Sequence, residues 1–177
     1  MSFTQEVEAL SGQRVNLCFQ CSKCSSSCPM ADWMDLKPAQ VVHNIRLGRE
    51  QVVLNSAAIW YCVGCETCTE RCPQGVEPAA LMNAARVLAV RKGIQPRIPE
   101  VAIYYRGFVD NMRLFGRIHD VSLVAITRLL AGHLFDDLPL ALQLLKRGRL
   151  GAPPLPTEGT SFRRLYGHVQ QREKALR

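Results

Sequence analysis

Hydrophobic residues in the first half of the chain recur three or four positions apart, which is the spacing of α-helices with one buried face. One predicted helix runs from Pro38 to Gly48 and another from Pro78 to Gly93, each beginning at a proline and ending at a glycine. Their apolar positions are Val41, Val42, Ile45 and Leu47 in the first, and Leu81, Ala84, Ala85, Leu88 and Ala89 in the second. No stretch between residues 15 and 93 alternates for long with a period of two, so we predict an all-α fold.

Shorter helices are predicted around these two. Residues 5–10 are expected to form a helix that Thr4 caps, and residues 50–56 another. Asp35 is expected to cap the helix that begins at Pro38.

The C-terminal half is predicted to hold two longer helices, over residues 99–115 and 118–134, and a short one over 138–149. The apolar run at 121–135 is 15 residues long and contains Arg128. A membrane span needs about 20 apolar residues, so we predict no transmembrane span.

All eight cysteines lie in two segments with the same pattern. CFQCSKCSSSCP (residues 18–29) and CVGCETCTERCP (residues 62–73) both read Cys-x2-Cys-x2-Cys-x3-Cys-Pro, at an offset of 44 residues. This is the known spacing of bacterial ferredoxins with two clusters, in which the fourth cysteine of each segment binds the cluster of the other. We therefore predict two [4Fe–4S] clusters. The predicted ligands are Cys18, Cys21, Cys24 and Cys72 for cluster 1, and Cys62, Cys65, Cys68 and Cys28 for cluster 2.

Two other uses of the cysteines compete with this prediction. A disulfide framework is disfavoured, since the polar N-terminus has no apolar signal-peptide core and thiols stay reduced in the cytoplasm, where we predict the protein resides. Structural zinc is the stronger rival, because pairs of Cys-x2-Cys also build four-thiolate zinc sites. Zinc does not require the third and fourth cysteines to recur at identical intervals, so clusters are favoured. No cysteine is left over for catalysis.

The surroundings of the cysteines suggest how the clusters are tuned. Serines between the first four ligands could donate hydrogen bonds to cluster sulfurs, or could simply fit a tight loop. Ile59, Trp60 and Tyr61 precede Cys62 and are expected to shield the clusters from water. His119 and His133 are expected to be core-edge or surface histidines rather than haem ligands.

Composition shifts divide the chain into three predicted parts. Residues 1–95 are expected to form the cluster domain, 96–150 a helical extension packing on it, and 151–177 an extended Pro-rich tail that docks on a partner or is flexible. The formal net charge is +7 with neutral cysteines, and each cube with four thiolates would contribute roughly −2. Because the basic residues are scattered rather than clustered beside aromatics, we predict no nucleic-acid binding.

The cysteine segments, together with Pro38–Gly48, IWYC at 59–62 and CPQGVEP at 72–78, resemble HdrC, the C-type iron–sulfur subunit of heterodisulfide reductase. LLKRGRLGAPPLP at 144–156 is a further, weaker similarity. The resemblance implies the α-helical ferredoxin fold, which the iron–sulfur subunits of succinate dehydrogenase and fumarate reductase share.

This resemblance also implies a function. The expected role is that of an electron-transfer subunit of an oxidoreductase that has no catalytic site of its own. Its expected partners are a flavin and iron–sulfur subunit (A-type, HdrA-like) and a catalytic subunit with CCG domains (B-type, HdrB-like), with a role in sulfur metabolism. Two alternatives are an iron–sulfur subunit of another CCG-partnered dehydrogenase, acting on glycolate, lactate or glycerol 3-phosphate, and a non-redox binding protein with zinc or a structural cluster.

Overall fold

The computed structural model describes residues 1–132, Gln143, Lys146, Arg147 and 160–175. The secondary structure of these residues is helical, without a β-strand, so the all-α prediction is confirmed. Two single 3₁₀ turns, Val15–Leu17 and Ala31–Trp33, lie beside the first cysteine segment. The described α-helices are α1 (Phe3–Ser11), α2 (Lys23–Ser26), α3 (Pro38–Arg46), α4 (Glu50–Leu54), α5 (Ala58–Tyr61), α6 (Thr67–Glu70), α7 (Pro78–Arg91), α8 (Pro99–Phe115), α9 (Asp120–Ala131) and α10 (Thr160–Ala175).

The chain divides into two compact units, Met1–Pro99 and Glu100–Arg177. In the first unit α7 is the central helix, and α1, α3, α4, α5 and α6 all pack against it. The fully buried side chains of this unit include Val7, Ile45, Leu54, Ile59 and Leu81. The division of the chain at residues 95 and 150 remains a prediction.

Proline and glycine set the helix boundaries that the sequence predicted. Helices α3 and α7 begin at Pro38 and Pro78, and the chain turns after them at Gly48 and Gly93, where φ is +66° and +68°. Such positive φ values favour glycine because it lacks a Cβ atom.

Two predicted caps are wrong. Ser2, not Thr4, caps α1, in a reciprocal arrangement with Gln5. The Thr4 hydroxyl instead donates to the Ile45 carbonyl at 2.7 Å and joins α1 to α3. Lys37, rather than Asp35, occupies the cap position of α3.

A lysine at the end of α7 joins three helices of the first unit. Lys92 Nζ lies 3.0 Å from Glu6 on α1 and 2.8 Å from Glu50 on α4. Hydrogen bonds to Glu50 and Glu6 raise the pKa of Lys92 above its usual value.

In the second unit, α8 has the predicted bounds and α9 begins two residues later than predicted, because His119 caps it. The His119 ring accepts a hydrogen bond from the Ser122 N–H at 3.2 Å. Asn111 is fully buried; its amide donates to Ser122 Oγ at 2.6 Å and its carbonyl oxygen accepts from the His119 N–H at 2.9 Å. His119 therefore both caps α9 and contacts the buried Asn111.

The end of the chain differs from the predicted extended tail. Residues 160–175 form α10, because this stretch has no proline and pairs Phe162 with Tyr166 one helical turn apart. Arg113 of α8 lies over the Tyr166 ring, 4.9 Å from its centroid. The Pro-rich segment 151–159 and His133 lie outside the described residues, as does most of the predicted helix at 138–149.

No helix among the described residues combines the length and apolar character that a bilayer span requires. Helices α8 and α9 are followed by Gly116 and Gly132, both at positive φ.

We predict that Gly107→Leu destabilises the second unit. A Cβ atom at Gly107 would lie 2.9 Å from Thr127 Cγ2 on α9, so a larger side chain must push α8 and α9 apart. The expected loss in the free energy of unfolding is about 1–3 kcal/mol. Gly167→Leu in α10 is the matched control, because a Cβ there meets nothing within 4 Å. Thermal unfolding followed by circular dichroism checks this; equal transition temperatures for the two variants would contradict the close packing.

Candidate functional site

The eight cysteines are all free thiols and lie around two cavities in the first unit. The lining of the first cavity includes Cys18, Cys21, Cys24 and Cys72. The lining of the second includes Cys28, Cys62, Cys65 and Cys68. Each cavity thus takes three thiols from one segment and the fourth from the other. The assignment of these cysteines as cluster ligands remains a prediction.

Left-handed backbone turns bring three cysteines of each segment to the same cavity. Gln20 and Ser22 have φ values of +60° and +61°, and Gly64 and Glu66, each 44 positions later, have +65° and +57°. Short helices, α2 and α6, follow these turns and pack against each other. A left-handed residue other than glycine costs roughly 1–2 kcal/mol, so three of the four positions are held by the surrounding fold.

The helices that follow the cysteine segments line both cavities. Ala39 and Val42 of α3 line the first cavity, whereas Pro38 of the same helix lines the second. Helix α7 reverses this arrangement, with Ala79 and Met82 at the second cavity and Pro78 at the first. The N-terminal turn of each long helix therefore lies between the two cavities.

Two arginines fix the backbone at the first cysteine of each segment. Arg46 of α3 donates to the Cys18 carbonyl at 3.0 Å, and Arg86 of α7 donates to the Cys62 carbonyl at 2.7 Å. Arg86 also donates to the Ile59 carbonyl at 2.7 Å, which ties down the end of α5. Neither arginine was predicted from the sequence to have a role. Their equivalent positions could have indicated one, since each lies eight residues after the proline that begins its helix.

Asp35 caps α5, the helix that leads into Cys62, rather than α3 as predicted. Its carboxylate accepts hydrogen bonds from the Ser56 hydroxyl at 2.7 Å and from the N–H groups of Ala57 and Ala58, both at 3.0 Å. Arg97 lies 3.0 Å away as an ion-pair partner. Partial burial opposes ionisation, but the hydrogen bonds outweigh it and hold the pKa of Asp35 below its usual value.

The residues that shield the cavities are not those predicted. Trp60 and Ile59 are buried, but the lining of the two cavities among the described residues does not include them or Tyr61. The apolar lining of the second cavity instead includes the methionines Met30, Met34 and Met82, together with Val63. That of the first cavity includes the aliphatic side chains of Val42 and Val76. Flexible methionines fill irregular space, and their positions carry no sequence signal until the fold is known.

The pKa values of the cysteine thiols depend on their burial and on their hydrogen bonds. Burial and the nearby Cys62 raise the pKa of Cys68 to about 11, and burial raises those of Cys24 and Cys62. Hydrogen bonds from Thr67 lower the pKa of the exposed Cys65. The buried thiols therefore keep their protons at neutral pH until a metal displaces them, which is the usual coupling of metal binding to proton release.

The serines of the first segment mostly serve the loop. The hydroxyls of Ser26 and Ser27 donate to the Lys23 carbonyl at 3.1 and 2.9 Å, and Ser25 Oγ accepts from the Ala39 N–H at 2.9 Å. The side-chain amide of Gln20 is a donor to sulfur that was not predicted, with its Nε2 3.2 Å from Cys18 Sγ.

The donor sets fit iron–sulfur clusters. Four thiols face each cavity, and no described group of three or more His, Cys, Asp or Glu side chains is gathered tightly enough to hold one metal ion. The thiols thus surround each cavity rather than meet at its centre.

Comparison with known proteins supports this chemistry. Residues 14–76 match the family model described as a 4Fe-4S dicluster domain. The prediction of two [4Fe–4S] clusters is therefore confirmed, as is the α-helical ferredoxin type of fold.

The chain is also similar to HdrC subunits of heterodisulfide reductases. It is 38% identical over 89 residues to the C-type iron–sulfur subunit of the CoB–CoM heterodisulfide reductase of Methanopyrus kandleri. The aligned stretch covers 50% of this chain and 45% of the relative. It is 30% identical over 91 residues to the C-type subunit of the H₂:CoB–CoM heterodisulfide, ferredoxin reductase of Methanothermobacter thermautotrophicus, with 51% and 49% coverage. An HdrC-like protein of Archaeoglobus profundus is 35% identical over 86 residues, with 46% and 44% coverage.

These matches confirm the predicted resemblance to the HdrC subunit of heterodisulfide reductase. The chain spans about half the length of the curated relatives it matches. The matches also cover about half of this chain.

We predict that Asp35→Ala destabilises the first unit at neutral pH. The change removes the acceptor for Ser56, Ala57 and Ala58, with an expected loss of about 1–2 kcal/mol in the free energy of unfolding. Because folding lowers the pKa of Asp35, its contribution is complete above the usual value of 3.8 and is lost as the pH falls through the lower folded value.

Asp32→Ala is the matched control, because Asp32 is an exposed carboxylate in the 3₁₀ turn just before. Unfolding of the anaerobic protein at pH 7, 5 and 3 checks both points. The difference in the free energy of unfolding between Asp35→Ala and the unmodified protein should be equal at pH 7 and 5 and smaller at pH 3. If Asp35→Ala lost no more stability than Asp32→Ala at pH 7, the capping role would be contradicted.

Proposed function

We propose that this chain is the electron-transfer subunit of a heterodisulfide reductase-like complex in sulfur metabolism, without a catalytic site of its own. Its two clusters would relay single electrons between a flavin and iron–sulfur subunit of the A-type and a CCG-domain catalytic subunit of the B-type. The observation that carries this proposal is the pair of four-thiol cavities inside a region similar to the HdrC subunits of heterodisulfide reductases. A [4Fe–4S] cluster supplies one-electron oxidation and reduction, which is the chemistry a relay needs.

The proposed ligands are crossed between the segments. Cys18, Cys21, Cys24 and Cys72 would hold one cluster, and Cys62, Cys65, Cys68 and Cys28 the other. The composition of the two cavities supports this assignment, because Cys72 lies at the first cavity and Cys28 at the second. The contact between α2 and α6 supports a short distance between the clusters.

Pairs of substitutions test the crossed assignment. If Cys21 and Cys72 bind the same cluster, the double variant Cys21→Ser with Cys72→Ser should damage one cluster and keep about four irons and four sulfides. The variant Cys65→Ser with Cys72→Ser should damage both. Iron and acid-labile sulfide are counted after anaerobic purification, and the unmodified protein should hold about eight of each. The opposite ranking of the two variants would show that each segment binds its own cluster.

Two surface positions support docking by two different partners. Cys21 and Cys65 are the cysteines that lie exposed, one at each cavity. Next to them Phe19 and Val63 are 58% and 63% exposed, although both are apolar. Exposed apolar side chains beside a redox site are typical of a protein interface. We assign one partner to the surface around Phe19 and the other to the surface around Val63.

Pull-down from the native cell extract under anaerobic conditions tests these surfaces and the function together. Phe19→Ser and Val63→Ser should each weaken the recovery of one partner by about tenfold, which corresponds to about 1.4 kcal/mol at an interface. Val52→Ser is the control, since Val52 is 46% exposed on α4 and lines neither cavity. Recovery of a flavin dehydrogenase with 2-hydroxy-acid activity, instead of A-type and B-type subunits, would favour the alternative complex.

We also place the protein in the cytoplasm. Eight free thiols that must stay reduced to bind iron support a reducing compartment.

A further inference from the structure

Gln20 occupies a strained backbone position that its counterpart in the repeat fills with glycine. Its φ is +60°, and that of Gly64, 44 residues later, is +65°. Glycine adopts this conformation without penalty, whereas for glutamine it costs roughly 1–2 kcal/mol. Space does not explain the difference, because a Cβ atom at Gly64 would meet nothing within 4 Å. The backbone turn alone would therefore favour glycine at both positions.

The side chain of Gln20 has a specific contact at the first cavity. Its amide Nε2 donates to Cys18 Sγ at 3.2 Å, and the residue lines the cavity beside Cys18 and Cys21. Gly64 has no side-chain donor for the second cavity. Other groups donate to the thiols there, among them the Thr67 hydroxyl, 3.4 Å from Cys65 Sγ, and the backbone N–H groups of Gly64 and Ala79.

The two cysteine segments also differ in the charges that they carry. The first segment carries Lys23 between its cysteines, and the second carries Glu66, Glu70 and Arg71. All of these residues are exposed, so water screens their effect and it can only add to that of a direct hydrogen bond.

We propose that Gln20 raises the reduction potential of the cluster held at the first cavity. Reduction adds one negative charge to a cluster, and an N–H donor on a ligand sulfur stabilises that charge. With both clusters bound, Gln20 would shift the equilibrium of one electron shared between them toward the first cavity. This inference rests on the proposed clusters and their ligands.

Redox titration of the anaerobically purified protein, followed by electron paramagnetic resonance, tests the role of Gln20. The unmodified protein should show two one-electron steps. Gln20→Gly should lower one of the two steps, decreasing the ratio of reduced to oxidised cluster at a fixed potential by about tenfold, or about 59 mV, and leave the other step unchanged. Gly64→Gln should raise that other step and leave the step that depends on Gln20 unchanged.

The controls separate this inference from the proposed function. Iron and sulfide are counted first: a protein without two clusters contradicts the proposed function itself. Gln20→Gly should not lower the thermal stability, because glycine relieves the backbone strain. Two unchanged steps in Gln20→Gly, or equal shifts of both steps, would overturn the role of Gln20.

Discussion

Each of the two cysteine-lined cavities takes thiols from both segments, and the rest of the first unit depends on that arrangement. Three thiols can be brought together by a tight local turn, but the fourth comes from a segment 44 residues away. The two segments must therefore be held in register by the helices between and after them. Helix α7 supplies this register, since α1, α3, α4, α5 and α6 pack on it. The packing of the core therefore also determines the geometry of the two cysteine sites.

Equivalent hydrogen bonds hold the backbone at the first cysteine of each segment. Arg46 and Arg86 hold the carbonyls of Cys18 and Cys62, and both come from the helix that follows their own cysteine segment. Asp35 adds a connection that has no counterpart after the second segment among the described residues. It joins the stretch that follows the first segment to the helix before Cys62. Hydrogen bonds of this kind fix backbone positions directly, which apolar packing alone does less specifically.

The sequence was sufficient for the features that depend on local spacing. The cysteine repeat, the helices that begin at Pro38 and Pro78, and the bounds of α8 all follow from residues close together in the chain. Two of the site features that it missed depend on distant contacts. Asp35 acts on residues 21 to 23 positions away, and Arg86 on a residue 27 positions away. A carboxylate before a helix is a good candidate cap, but the sequence does not say which of two helices it reaches.

The repeat is nearly symmetric in its backbone and asymmetric in its side chains. Equivalent positions share left-handed turns, yet one half has Gln20 where the other has Gly64. Val42 faces the first cavity where Met82 faces the second. A symmetric backbone suffices to bring two cofactors close together, but identical surroundings would give them identical potentials. Since the potential of a cluster depends on hydrogen bonds, charge and solvent around it, the side chains that break the repeat are the ones able to make the two sites differ.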